Sequence, residues 1–148
     1  MISLDSNILV YSLDREAGDR HETAAKLVER SVRAGNCVQP LQTLCEFFNV
    51  VTRKIGLDRA AAAEVVARWQ TAVPVEPVSA EDLTNAIRAV RDHSLPFWDA
   101  LLWATARRVG VRLLVSEDFQ DGRTIEGVRI VNPFVAANAA LIDLELPG

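Results

Sequence analysis

Short apolar runs alternate with helix-like segments along the chain, and this alternation restricts the possible folds more than any other feature. The runs "ISL", "CVQ", "VEPV", "RLLVS" and "GVRIV" have the length and composition of short, mostly buried strands. Segments with helical periodicity separate them, so the strands need crossover connections. We therefore predict an α/β fold in three layers, with a mainly parallel central sheet flanked by helices.

Capping residues and helix breakers set the helix boundaries. Asp58 is the expected N-cap of an alanine-rich helix that Pro74 ends, and Ser79 with Asp82 resembles a capping box. The predicted helices cover residues 6–13, 21–34, 41–56, 59–73, 79–93 and about 95–110. The acidic segment "EDFQDGRTIE" between the last two strands is expected to form a turn, and "AANAALIDLELPG" a short helix with a frayed tail.

Composition limits the size and the class of the protein. A chain of 148 residues, 49% of them hydrophobic, is sufficient for one buried core, so we expect a single domain over residues 1–148. Its net charge of −4 argues against binding nucleic acid through a broad basic surface. Any contact with a phosphodiester would instead need local arginines or a metal ion.

The N-terminus and the cysteines exclude further classes of protein. The N-terminus lacks a basic segment, and Asp5 interrupts its apolar run, so neither a signal peptide nor a membrane span is expected. We therefore expect a cytoplasmic protein that has no membrane partner. Cys37 and Cys45 have no zinc-ligand spacing and are expected to be small core residues.

Asp99 lies inside the most apolar run of the chain, "SLPFWDALLWATARR". Its neighbours at i+3 and i+4 are Leu102 and Trp103, so it is not part of an extended polar stripe. An unpaired buried charge is costly, and a positive partner is therefore expected nearby.

Four acidic residues fall where one edge of the predicted sheet would gather them. Asp5 follows the first strand and Asp118 follows "LLVS". Glu46 lies in the second turn of its helix, and Asp99 lies in the first turn of its own. In an α/β sheet the strand ends and the helix starts share the ligand-binding edge. Converging carboxylates repel one another unless a cation lies between them, and oxygen ligands favour Mg²⁺ or Mn²⁺.

Each acid also has a purely structural interpretation. Asp5 could cap the helix that follows it, and Asp99 could complement the dipole of its helix. Glu46 belongs to a polar stripe at helical spacing, which is typical of a solvated face. Asp118 lies in an acidic turn beside Glu117, where an ordinary loop is the simplest interpretation.

The stretches "ISLDSNILVY", "QTLCEFFNVVTRK", "SLPFWDALLWATA" and "LLVSEDFQDG" together resemble PIN-domain ribonucleases, specifically the VapC toxins of type II toxin–antitoxin pairs. The four stretches occur in the order of the family and span nearly the whole chain. The resemblance implies a Mg²⁺- or Mn²⁺-dependent endoribonuclease that cleaves RNA, in many members transfer RNA. It also implies a homodimer and a small cognate antitoxin that blocks the acidic pocket.

The resemblance assigns catalytic and metal-binding roles to Asp5, Glu46, Asp99 and Asp118. Asn7 matches the family's companion to the first aspartate and, like Ser116, would support the site. The family's Ser/Thr-x-Asp pattern selects Asp118 by register, with the adjacent acid Glu117 as the alternative.

Two other functions are also compatible with the sequence. A phosphatase or phosphotransferase that forms an aspartyl-phosphate would also place an aspartate after a strand. However, "DSN" lacks the second aspartate, two residues on, that one common design uses. A non-catalytic module could use the same acids only to attract basic partners.

Overall fold

The centre of the protein is a four-stranded sheet with the strand order β1-β4-β6-β5. The computed structural model describes residues 1–146. The strands are β1 (Ile2–Leu4), β4 (Leu113–Val115), β5 (Thr124–Ile125) and β6 (Val128–Val131). The β1–β4 and β4–β6 pairs are parallel, and β5 runs antiparallel to β6. The predicted, mainly parallel sheet is therefore confirmed.

A second, shorter pair of strands lies beside β1. It consists of β2 (Gln39–Pro40) and β3 (Val75–Glu76), which pair in parallel. A single parallel bridge joins Ile2 to Cys37, and the amide of Val38 donates to the carbonyl of Ile2 at 3.0 Å. These contacts place β2 at the open edge of β1.

Helices cover both faces of the sheet. In the described part of the chain they are α1 (Ser6–Leu13), α2 (Asp19–Ala34), α3 (Leu41–Val50), α4 (Arg59–Ala72), α5 (Ala80–His93), α6 (Phe97–Arg108) and α7 (Ala139–Glu145). Successive strand residues face opposite sides. Accordingly, Leu113 and Val115 of β4 pack with α1–α4 and α7, whereas Leu114 packs with α5 and α6. Alternate residues of this one strand therefore contact the helices on opposite faces of the sheet, which gives three layers.

The apolar run around Asp99 forms α6, the most buried helix of the fold. Every residue from Ala100 to Ala106 is buried. The fully buried Trp103 donates its Nε1–H to the carbonyl of Ile125 at 3.2 Å. Helix α6 is closely packed against α5, and Asp99 lies at its less buried N-terminal end.

Several local predictions are confirmed and others are wrong. Asp58 caps α4, and Ser79 and Asp82 form the predicted capping box. The expected helix over 41–56 ends as an α-helix at Val50 and continues as a π-helical turn over 51–55. The segment expected to be only a turn contains β5, and Cys45 is exposed because it lies on the outer face of α3. Among residues 1–146, no helix is both long and apolar enough to span a bilayer.

Candidate active site

Asp5 and Ser116 leave the sheet side by side because β1 and β4 run parallel, with Leu4 opposite Val115. Asp5 is 4% exposed, and its Oδ1 accepts a hydrogen bond from the amide of Ser6 at 2.6 Å. Ser116 Oγ donates to Asp5 Oδ2, also at 2.6 Å. Asp5 therefore caps α1, as one interpretation of the sequence proposed, and also presents a carboxylate at the edge of the sheet.

Asn7 links the ends of these two strands through its side-chain amide. Its Nδ2 lies 3.1 Å from Asp5 Oδ2, 3.2 Å from Ser116 Oγ and 3.0 Å from Asp118 Oδ2. The amide of Asp118 donates to Ser116 Oγ at 3.1 Å, which holds the loop after β4 in place. Asn7 Oδ1 is buried without a hydrogen-bond partner. One free acceptor therefore remains beside two carboxylates.

Glu46 faces the same edge from α3. Ser6 Oγ donates to Glu46 Oε2 at 3.0 Å, and Gln42 Nε2 donates to Glu46 Oε1 at 2.8 Å. Gln42 Nε2 also lies 3.0 Å from the carbonyl oxygen of Trp98. Gln42 and Glu46 of the polar stripe are thus half-buried, and Gln42 joins α3 to the start of α6, whereas Asn49 and Arg53 further along the stripe are exposed.

Burial and neighbouring acids determine the electrostatics of Asp5 and Asp99. Burial raises the pKa of Asp5 to about 6; hydrogen bonds from Ser116 and Ser6 oppose this shift, and the charges of Glu46 and Asp118 add to it. Burial also raises the pKa of Asp99, with further contributions from Asp118 and Glu46. Each of these two aspartates therefore experiences the charges of both Glu46 and Asp118.

Glu117 faces away from this group. Tyr11 Oη donates to Glu117 Oε1 at 2.5 Å, and Arg20 forms an ion pair with Glu117 Oε2. We call Asp5, Glu46, Asp99 and Asp118 the acidic cluster. Asp118 belongs to it because it contacts Asn7, whereas Glu117 is neutralised by Arg20 and lies outside it.

The chemistry of the cluster fits a hard divalent cation. Within residues 1–146, none of Asp5, Glu46, Asp99 and Asp118 forms an ion pair with a cationic side chain. No three acidic, histidine or cysteine side chains of this part of the chain are already arranged as a metal-binding group. Mg²⁺ commonly keeps several water ligands and uses only one or two carboxylates, so it does not need a closed protein cage.

Two contributors to this arrangement were not among the predicted site residues. Gln42 precedes Glu46 by one helical turn, and this spacing was the signal that the two side chains could interact. Arg20 neutralises Glu117 from 97 positions away in the sequence, and no local pattern indicates such a contact.

Comparisons with known proteins agree with this architecture. The family model described as PIN domain matches residues 2–120. VapC20 from Mycobacterium tuberculosis, described as a sarcin–ricin loop cleaving toxin, has 28% sequence identity and a TM-score of 0.63. The match covers 77% of this chain and 87% of VapC20.

Two more distant structures share the fold. A toxin–antitoxin complex from Klebsiella pneumoniae has 19% identity and a TM-score of 0.65, and the match covers 90% of this chain and 98% of that one. VapBC2 from Rickettsia felis, bound to a promoter DNA fragment, has 14% identity and a TM-score of 0.63. The match covers 89% of this chain and 98% of that one.

No curated protein sequence matches the chain significantly. The PIN domain match nevertheless spans most of the chain, and the structural neighbours of the chain include VapC20 and VapBC2. The chain therefore belongs to the PIN domain family.

Proposed function

We propose that this protein is a divalent-metal-dependent endoribonuclease and the toxin of a type II toxin–antitoxin pair. The observation that carries this proposal is that Asn7 joins Asp5 to Asp118 at one sheet edge, with Glu46 held beside them by Ser6, and that none of the four acids has a cationic partner among residues 1–146. Membership of the PIN domain family and the similarity to a toxin that cleaves the sarcin–ricin loop support RNA as the substrate.

Asp5, Glu46, Asp99 and Asp118 are the residues that would hold Mg²⁺ or Mn²⁺. When bound, such an ion polarises the phosphodiester, makes a water molecule more acidic and stabilises the leaving oxygen. Nothing else in the cluster neutralises the carboxylates, so the fold leaves their charge available for this purpose. The surrounding polar side chains then determine how each carboxylate is oriented.

Asn7 and Ser116 hold Asp5 and Asp118 in place through the bonds described above, and Ser6 with Gln42 fixes both oxygens of Glu46. These contacts position the carboxylates before substrate arrives, which lowers the cost of reorganisation during the reaction. Without a bound cation, burial and the neighbouring acids raise the pKa of Asp99, and a cation held by the cluster would offset this shift. We propose that one of the four carboxylates accepts the proton from the attacking water.

The exchange Asp99→Asn tests this proposal because it removes one charge and changes the side-chain volume little. With Mn²⁺ present, we expect cleavage of transfer RNA and of a sarcin–ricin loop oligoribonucleotide to fall by about a hundredfold or more. The far-ultraviolet circular dichroism spectrum should not change. Glu64→Gln is a matched control, since it neutralises an exposed acid on α4 and should cleave like the wild type. Equal rates for Asp99→Asn and the wild type would refute the proposal.

A groove on the other side of α1 supports the proposed antitoxin partner. Its volume is about 290 Å³, and it lies between α1, α2 and α4. Its apolar wall includes Leu13, Val28, Val32 and Trp69. An amphipathic helix or extended peptide buries its apolar face in a groove of this kind. We propose that the cognate antitoxin binds here, and that Val32→Asp weakens a purified toxin–antitoxin complex without changing RNA cleavage by the free toxin.

An apolar face on α5 supports the proposed homodimer. Leu83, Ile87 and Val90 follow one another at helical spacing and are exposed, with Ile87 58% accessible. Apolar side chains grouped in this way mark an association surface on a soluble domain. Ile87→Glu should shift the mass measured by light scattering from dimer to monomer. An unchanged mass would remove α5 from the proposed interface.

A further inference from the structure

A cavity of about 220 Å³ opens between α1 and α3, directly beside the acidic cluster. The residues around it are Ser6, Asn7, Val10, Tyr11, Val50 and Asp118. At one end the cavity is polar and adjoins the carboxylates. At the other end it is bordered by two valines and a tyrosine ring.

The division into a polar and an apolar end follows from helical spacing. On α1, Ser6 contacts Glu46, and Val10 lies one turn further from the cluster. On α3, Val50 likewise lies one turn beyond Glu46. Because side chains four positions apart share a helix face, both helices change from polar to apolar at the same distance from the carboxylates.

The wall formed by Tyr11 is held by contacts on several sides. Its hydroxyl donates to Glu117 and accepts from Arg20 at 3.0 Å. The ring packs edge to face on Phe134, with centroids 5.3 Å apart, and the Arg20 guanidinium lies 5.4 Å from its centroid. A wall fixed in this way keeps the cavity open in the absence of a ligand.

We infer that this cavity is a nucleoside subsite, which holds the unpaired base of one nucleotide next to the cleaved phosphodiester. The inference rests on the proposed ribonuclease function. The sugar and phosphate would lie at the polar end, beside Asn7 and Asp118, and the base would pack between Val10, Val50 and the Tyr11 ring. Nucleases and other enzymes that read unpaired RNA bind bases against apolar and aromatic side chains in this manner.

The size of the cavity favours a single unpaired base. A volume of 220 Å³ equals that of about seven liquid waters. This space is large enough for one base. We expect that base to be unpaired, either in a loop or in a single strand. A basic side chain from a protein partner is the competing occupant, because the polar end is acidic.

Abasic RNA tests the subsite. A random-sequence single-stranded oligoribonucleotide pool is cleaved by the wild-type protein with Mn²⁺, and the best-cleaved sequence is then made with an abasic residue on the 5′ or the 3′ side of the cut. We expect one of the two abasic RNAs to lower kcat/KM about fivefold or more, because it loses the packing of one base in the cavity. The other abasic RNA should be cleaved almost as fast as the parent.

The variant Val50→Phe fills the apolar end of the cavity. It should cleave the parent RNA more slowly and no longer distinguish it from the sensitive abasic RNA. Val78→Phe is the matched control, because it adds the same ring at an exposed position before α5 and should retain the wild-type discrimination. If Val50→Phe does not fold, Val50→Ala replaces it and should reduce the discrimination by about twofold to fivefold, since part of the contact with the base is lost.

The outcomes separate this inference from the proposed function. Cleavage by the wild type with no effect of either abasic residue overturns the nucleoside subsite and leaves the ribonuclease proposal standing. Wild-type discrimination retained in Val50→Phe also overturns it, and assigns the cavity to another occupant, such as a basic side chain of a protein partner. If the wild type cleaves no RNA at all, the ribonuclease proposal itself fails.

Discussion

Replacing Asp5 with asparagine should make the metal-free protein more stable at neutral pH. Asp5 is buried, and burial is the main reason why its pKa rises from 3.8 to about 6. The charges of Glu46 and Asp118 act in the same direction. At neutral pH the folded protein therefore carries an ionised group that the unfolded chain would accommodate at lower cost. Asparagine keeps the shape and remains a good N-cap residue for α1, but it carries no charge.

The size of the effect follows from the pKa shift. A rise from 3.8 to about 6 corresponds to about 3 kcal/mol of destabilisation once Asp5 is ionised. Asparagine can still accept from the amide of Ser6, but its side-chain nitrogen cannot accept from Ser116 or Asn7, and the loss of that acceptor costs about 2 kcal/mol. We therefore expect Asp5→Asn to increase the free energy of unfolding by about 1 kcal/mol at about pH 8.

The pH dependence has a defined sign. Protonated Asp5 contributes stability that is fully present below pH 3.8 and is lost as the pH rises through about 6. The difference in unfolding free energy between variant and wild type should therefore grow by about 2 kcal/mol from about pH 4.5 to about pH 8. Urea denaturation of both proteins with EDTA measures this difference.

Asp118→Asn is the control, since it removes an exposed charge from the same cluster and should change the unfolding free energy by less than about 1 kcal/mol. A difference between Asp5→Asn and wild type that does not vary with pH would refute the reasoning. Equal stability gains for the Asp5 and Asp118 variants would also refute it, because burial would then not be the cause. Added Mn²⁺ should stabilise the wild type more than Asp5→Asn if Asp5 holds the ion.

Three further predictions concern other parts of the chain. Asp118→Asn should lower RNA cleavage at least about tenfold. Glu117→Gln should have a smaller effect on the cleavage rate, since Asp118 belongs to the cluster and Glu117 is paired with Arg20 outside it. Asp82→Ala should lower the unfolding free energy by about 3 kcal/mol in urea titrations, because the carboxylate is buried and accepts two hydrogen bonds from Arg108. Ser94 adopts a left-handed conformation with φ of 56° after α5, so Ser94→Gly should raise the thermal midpoint, with a gain of about 0.5–1 kcal/mol.

Local signals in the sequence were enough to predict most of the helices and the layered fold. The expected helix over residues 6–13 has the observed bounds of α1, and the capping box of α5 was recognised from two residues. These features depend on neighbours within one or two helical turns. The strand β5 has only two residues and pairs with β6 across a tight turn, so it carried too little periodicity to be recognised.

The position of the acidic residues was predicted in part. Asp5 and Asp118 were expected at one sheet edge because each follows a parallel strand, and Asn7 contacts both in the structure. The roles of these residues in metal binding and catalysis remain predictions. Cys45 was expected in the core because of its residue type, but its position on α3 leaves it exposed.

The sequence alone determined the order of the elements, their caps and the placement of acids after strands and at helix starts, because these depend on short-range periodicity and backbone preferences. The family pattern favours Asp118 over Glu117 by register, and only the tertiary structure gives the contacts that separate the two acids. Tyr11 and Arg20 hold Glu117 across 106 and 97 positions of sequence, while Asn7 reaches Asp118 across 111. Such contacts form only after the helices pack on the sheet, and no local pattern of residues encodes them.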